Sequence, residues 1–256
     1  GFASSVFWPI GAWLDAWLGW RGALQVYALL NLLPCALLHA GFAGGPRRLP
    51  AGDPSGAIAL PGIGLEERRA RTALRLTALG FTLHAFVASA VSAHLVTLLD
   101  GFGLGAAAVI SVASLMGAAQ VAARIGEMSL QRRFSAIAVA VPSLTLLPAA
   151  FVAALTLPTT PWAAAVFVVL FGCANGLMTI VRGALPLAVF GSRGYAELLG
   201  RIAGPGLLAA AAAPVLFSAL VEAAGARAGL MLLAACGCAA LASIVSLVRL
   251  ARRTRR

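Results

Sequence analysis

The chain has 256 residues, 61% of them hydrophobic and 11% charged, with a mean hydropathy of +0.95. One soluble core cannot hide that much apolar side chain, because a folded domain needs a polar surface and ordinary domains are about a quarter charged. The net charge of +11 does not point to nucleic acid: all 19 basic residues are Arg, gathered between apolar runs and at the C-terminus rather than along a phosphate-tracking face.

A bilayer core takes about 20 apolar residues per helix. Eight stretches qualify, at 2–18, 21–43, 72–98, 104–126, 134–157, 161–189, 197–221 and 226–250. Their hydrophobicity is continuous rather than alternating, which predicts helices and not a barrel. The expectation is an all-α, multi-pass integral membrane bundle of about eight transmembrane helices, with the first stretch short enough to read as cut. Residues 44–71 form the one linker. Six glycines and prolines between Gly44 and Pro54 oppose regular structure there, and four more follow to Gly64 before the charged Glu66-Glu67-Arg68-Arg69 turn.

The connections alternate in charge. The even ones hold Arg47, Arg48, Arg68, Arg69 and Arg71, then Arg132 and Arg133, then Arg193, then the tail at 251–256. The odd ones hold only Arg21 and Arg227, beside Asp100 and Glu222. By the positive-inside rule this puts the 44–71 linker and the C-terminus in the cytoplasm of a cell (inner) membrane protein. Trp17, Trp20 and Trp162 fall at the opposite ends, where an aromatic belt belongs.

Enzyme chemistry has no foothold in these residues. There is no His-Glu-x-x-His motif, no Gly-x-Ser-x-Gly elbow and no phosphate-binding Gly-Lys-Ser/Thr loop. Cys35, Cys173, Cys236 and Cys238 lie inside apolar runs without the spacing of a metal or redox site. The expectation is no enzyme, no cofactor and no metal, with partners limited to lipid, a small-molecule solute and, in some transport schemes, a coupling proton.

One internal repeat is visible. The first hairpin has Pro9, Asp15 and the turn Gly19-Trp20-Arg21; the last has Pro214, Glu222 and the turn Gly225-Ala226-Arg227. Both copies have the same orientation, so the repeat is parallel. With two spans before the linker and six after it, each half is expected to hold six.

This pattern resembles the major facilitator superfamily, whose twelve helices form two six-helix halves joined by a cytoplasmic linker. The resemblance covers the whole chain and aligns it with the family's fifth to twelfth helices. Residues 1–43 are then the last two helices of the N-terminal half, and 72–250 the C-terminal half. The quoted elements are Trp8-Pro9-Ile10-Gly11 for the fifth-helix motif, Gly204-Pro205-Gly206 as its counterpart, the Gly-Trp-Arg turn, and Ala123-Arg124-Ile125-Gly126-Glu127 in the loop after the eighth helix. That loop lacks the family's Asp. The resemblance implies a secondary active transporter of small solutes working by alternating access. The alternative is a non-transporting membrane remnant or scaffold.

Ionisable and polar groups at mid-span are the candidates for function. His84 and Asn175 fall at the middle of their spans, on helices that line the central cavity in the resembled family. Two readings stand for His84: a buried imidazole bonded to a neighbour such as Ser114, or a solute ligand or proton carrier. Arg182 either snorkels to the inner interface or faces the cavity and binds a small organic anion. Asn31 reads as a helix–helix hydrogen bond, His39 and His94 as interfacial, and Arg124 and Arg201 as holding inner loops. Pro9, Gly11 and Pro205, with the small-xxx-small pairs Gly172/Gly176 and Gly200/Gly204, are the candidate packing and gating positions.

Overall fold

Long apolar segments satisfy their backbone as helices, and the computed structural model, which describes residues 2–42, 62–131 and 136–254, follows that rule. In chain order it has α1 (Phe2–Leu30), a wider π-helical turn (Asn31–Cys35), α2 (Ala36–Phe42), α3 (Glu67–Asp100), α4 (Ala106–Gln131), α5 (Ala136–Thr156), α6 (Pro161–Phe190), α7 (Tyr195–Ala224) and α8 (Ala226–Thr254). Seven stretches among the described residues are long and apolar enough to cross a membrane, consistent with a multi-pass helical bundle.

The first of these, Val6–Gly41, is folded back on itself. Gly19 has φ 67° and ψ 169°, a region open essentially to glycine alone. Beyond it the chain returns: Tyr27 Oη donates to the Phe7 carbonyl at 3.3 Å, and the two rings meet at 5.6 Å. A straight helix would hold these residues about 30 Å apart. Residues 2–18 and 20–42 are therefore two arms, which makes eight among the described residues. Gly225, between α7 and α8, has nearly the same conformation at φ 84° and ψ 163°. In the second arm Pro34 lacks an N–H to continue the helical ladder, and the π turn absorbs the defect. Asn31 uses its side-chain amide there, donating to the Tyr27 carbonyl of its own helix at 2.9 Å rather than to another helix.

The charged turn at the end of the linker opens the third helix. Residues 44–61 lie outside the described residues, but 67–71 are already helical. Glu66 and Glu67 suit the positive end of a helix dipole, and they pair with Arg69 and Arg71 one turn on. Such exposed pairs contribute only about 0–1 kcal/mol each. The preceding segment is anchored by the Ile63 N–H donating to the Val189 carbonyl at 3.1 Å.

In the six helices α3–α8, α3 packs on α7 and α8, α6 on α4 and α5, and α5 on α8, while the α1 hairpin packs on α4. Exchanging α3, α4 and α5 for α6, α7 and α8 carries this six-helix scheme into itself. The apolar core is split along the bundle. One cluster centres on Leu95, Leu99, Phe151, Phe167 and Phe171; the other on Phe81, Leu144, Leu185, Ile202 and Ile244.

Gly172 and Gly176 sit where α6 crosses α4. An added Cβ would stand 2.7 Å from the Met116 carbonyl oxygen and 2.6 Å from that of Gln120. Gly200 and Gly204 meet open space, so the close approach expected there is absent; on α7 it is Gly206 that nears α3, at Ala85 and Thr82. Gly11 makes room for the Tyr27 hydroxyl inside the first hairpin, two residues beyond Pro9, which α1 carries without a break.

Candidate functional site

The seam between the two apolar clusters is where the polar side chains gather. On α3, Phe81 belongs to one cluster and Val87 to the other; on α6, Met178 and Ala174 divide the same way. His84 and Asn175 occupy the intervals, each near the middle of its helix. Beside them a cavity of about 550 Å³ opens between α3, α6 and α7. That is an ordinary size for a small-molecule pocket.

Helical periodicity explains the lining. Ala85, Ala88, Ser89 and Ser92 share one face of α3, and Ile202, Ala203, Gly206 and Ala210 one face of α7. Asn175 and Arg182 lie seven residues apart on α6, two turns along the same stripe. Small residues on α3 and α7 leave the space, and α6 supplies the polar groups.

Arg182 does not reach for the helix end. Helical side chains lean toward their N-terminus, and for α6 that direction is the middle of the bundle. Its Nη2 lies 3.4 Å from His84 Nδ1, so the guanidinium donates and the imidazole accepts. His84 is 2% exposed, and its Nε2 is buried with no hydrogen-bond partner. The ion pairs of the described residues, Arg69–Glu66, Arg71–Glu67 and Arg201–Glu197, leave Arg182 out.

Two of the candidates thus touch, and a third, Asn175, lines the same space. Ser114 does not line it; its hydroxyl donates to the Ile110 carbonyl at 2.8 Å within α4. Arg124, expected to hold an inner loop, donates its Nε to the Gly176 carbonyl of α6 at 3.3 Å, across the α4–α6 crossing.

Ser89, Ser92 and His94 are the contributors that sequence reasoning passed over in this role. Pro214 has no N–H, so the Ala210 carbonyl one turn back lacks its helical partner. Ser89 donates to that carbonyl at 2.7 Å, and His94 Nε2 donates to the Pro214 carbonyl at 3.1 Å. α3 leaves helical geometry at this same level, with His94 at φ −114° and ψ 15°. His94 therefore clasps α3 to α7. A proline facing a Ser-and-His pair is a weak signal, since only the fold puts residues 120 apart side by side.

Compared with protein-family models, curated proteins and solved structures, the chain matches none of them.

Proposed function

We propose that this chain is a multi-pass membrane transporter that passes a small solute through the α3–α6–α7 cavity by alternating access, in the manner of the major facilitator superfamily. The observation that carries the reading is a half-open cavity at mid-bundle, set at the seam of two apolar clusters and lined by Asn175 and Arg182. Polar groups at that depth are costly and persist where they serve a pathway.

Two features support the family. The exchange of α3–α5 with α6–α8 leaves their packing unchanged, and three-helix triplets related in this way run in opposite directions, as in inverted-repeat transporters. The turns at Gly19 and Gly225 share one glycine conformation, which fits a parallel repeat between the first hairpin and the last. On this reading the cytoplasm of an inner membrane faces the linker and the C-terminus, by the distribution of Arg.

The test is counterflow in proteoliposomes with labelled small acids, amines, sugars and amino acids. Saturable flux of one class, removed by Ala88→Trp or Ala203→Trp, supports the assignment. Absence of saturable flux for every class would leave a membrane scaffold instead.

A further inference from the structure

We propose that the cavity takes a small amphipathic monoanion, a carboxylate on a short hydrocarbon or aromatic body, with its charge on Arg182 and with His84 positioning that guanidinium. The inference deepens the transporter reading, but it concerns binding and stands or falls separately.

The charge argument starts from what holds Arg182. An arginine set inside a helical bundle is ordinarily held by a carboxylate, which cancels its charge. Here the partner is an imidazole at 3.4 Å. Arg has no acceptor and cannot be deprotonated in proteins, so His84 Nδ1 must offer its lone pair, in the neutral ring. The imidazole holds the guanidinium in place without neutralising it. None of the described residues lining the cavity is a carboxylate or a second cation. Arg182 is open to the cavity, and one cation on an otherwise uncharged, largely apolar wall favours one anion. A planar guanidinium with free N–H groups matches a carboxylate in two-point fashion.

The amphipathic argument comes from the rest of the wall. Phe81, Leu199, Ile202 and Leu207 give the bound molecule an apolar surround, with Ala85 and Ala203 making the room. Ser89 donates instead to the Ala210 carbonyl. Asn175 and Ser92 remain to orient the ligand. A sugar would leave most of its hydroxyls without partners here, and a dianion would need a second cation. His84 is a positioning residue, since it is buried behind Arg182 and does not line the cavity.

The experiment is a binding titration on the full chain in nanodiscs, read by tryptophan fluorescence and by thermal unfolding. The probes are hexanoate and benzoate, their neutral amides, hexylamine, and adipate as the dianion. Monocarboxylates are expected to bind and to raise the unfolding temperature, with the amides weaker by about tenfold or more, as befits loss of a charge-assisted contact. This comparison needs no variant, so it holds even where a substitution fails to fold. Arg182→Gln should erase the preference of acid over amide, and Arg182→Lys should keep it with weaker affinity. His84→Ala should weaken the acids several-fold, and His84→Gln, which keeps an acceptor, should recover part of the loss. Equal binding of acid and amide, preference for adipate, or an unchanged Arg182→Gln would overturn the proposal. Carboxylate binding without flux would remove the transporter reading and leave this site. Flux of a neutral or cationic solute without carboxylate binding would do the reverse.

Discussion

A methyl group added at Gly176 would stand 2.6 Å from the carbonyl oxygen of Gln120 and 2.8 Å from its Cα, both backbone atoms that cannot swing away. Gly176→Ala should therefore force α4 and α6 apart and destabilise the bundle by about 1–3 kcal/mol, the usual cost of overpacking. Gly204→Ala is its control. That position is helical and open, so the same substitution should be neutral or stabilise by up to about 1 kcal/mol, since alanine is the better helix former. Thermal unfolding of the two purified variants decides the matter, and equal shifts would mean that the crossing is looser than its geometry implies. Ser89→Ala belongs beside them. It strips the part-buried Ala210 carbonyl of the donor that replaces the missing Pro214 N–H, at a cost of about 0.5–1.5 kcal/mol, the net worth of one such hydrogen bond. Should Ser89→Ala melt at the parent temperature, water reaches that carbonyl.

Among the elements, the two sharp turns depend most on a single residue type. Gly19 and Gly225 both combine a positive φ with an extended ψ, where a Cβ carries a penalty of about 1–3 kcal/mol. Gly19→Ala should loosen the first hairpin, whose arms meet at the Phe7–Tyr27 pair. In a cysteine-free background, a short thiol cross-linker should join Phe7→Cys to Tyr27→Cys. The yield should fall when Gly19→Ala is added; undiminished cross-linking would show that helix packing, not the turn, closes the hairpin. The ends of elements were the least legible feature. The third span was expected from residue 72, but the Glu66/Arg69 and Glu67/Arg71 pairs extend it by a polar turn that hydropathy does not register.

For the whole molecule, the Ile63–Val189 hydrogen bond brings the segment at Gly64 to the α6 end that leads into Ser192, and the Phe102–Phe167 stack brings the Gly103 turn to the α6 end that follows Thr159, as alternation of the arms requires. Single-cysteine labelling with an impermeant thiol reagent should find Gly103→Cys and Thr159→Cys reactive from outside intact cells. Gly64→Cys and Ser192→Cys should react only after permeabilisation. Mixed labelling within either set would break the eight-arm topology. The face of α7 that carries Leu208 and Val215 is more than two-thirds exposed at both residues, and Trp17 and Trp162 are as open. Lipid or further helices suit such a surface, and water does not.

Which segments are helices, and that they are apolar enough to span, was decided locally: about 20 consecutive apolar residues must satisfy their own backbone, whatever surrounds them. That His84 and Asn175 fall near the middle of their helices was also legible, because a helix advances a constant distance per residue. Sequence pointed to Gly172 and Gly176 as a close approach, but it named Gly200 and Gly204 with equal force, and those face open space. Spacing identifies a helix face without saying what stands opposite. The same limit hid the Ser89–Ala210 and His94–Pro214 clasp, which joins residues some 120 positions apart. It also left His84 with two readings, bonded to a neighbour such as Ser114 or acting on a solute or proton, and did not name Arg182, which packing turns inward to meet it. Hydropathy is a property of one segment and solvent. The cavity is a property of three helices at once, and only their tertiary arrangement brings its walls together.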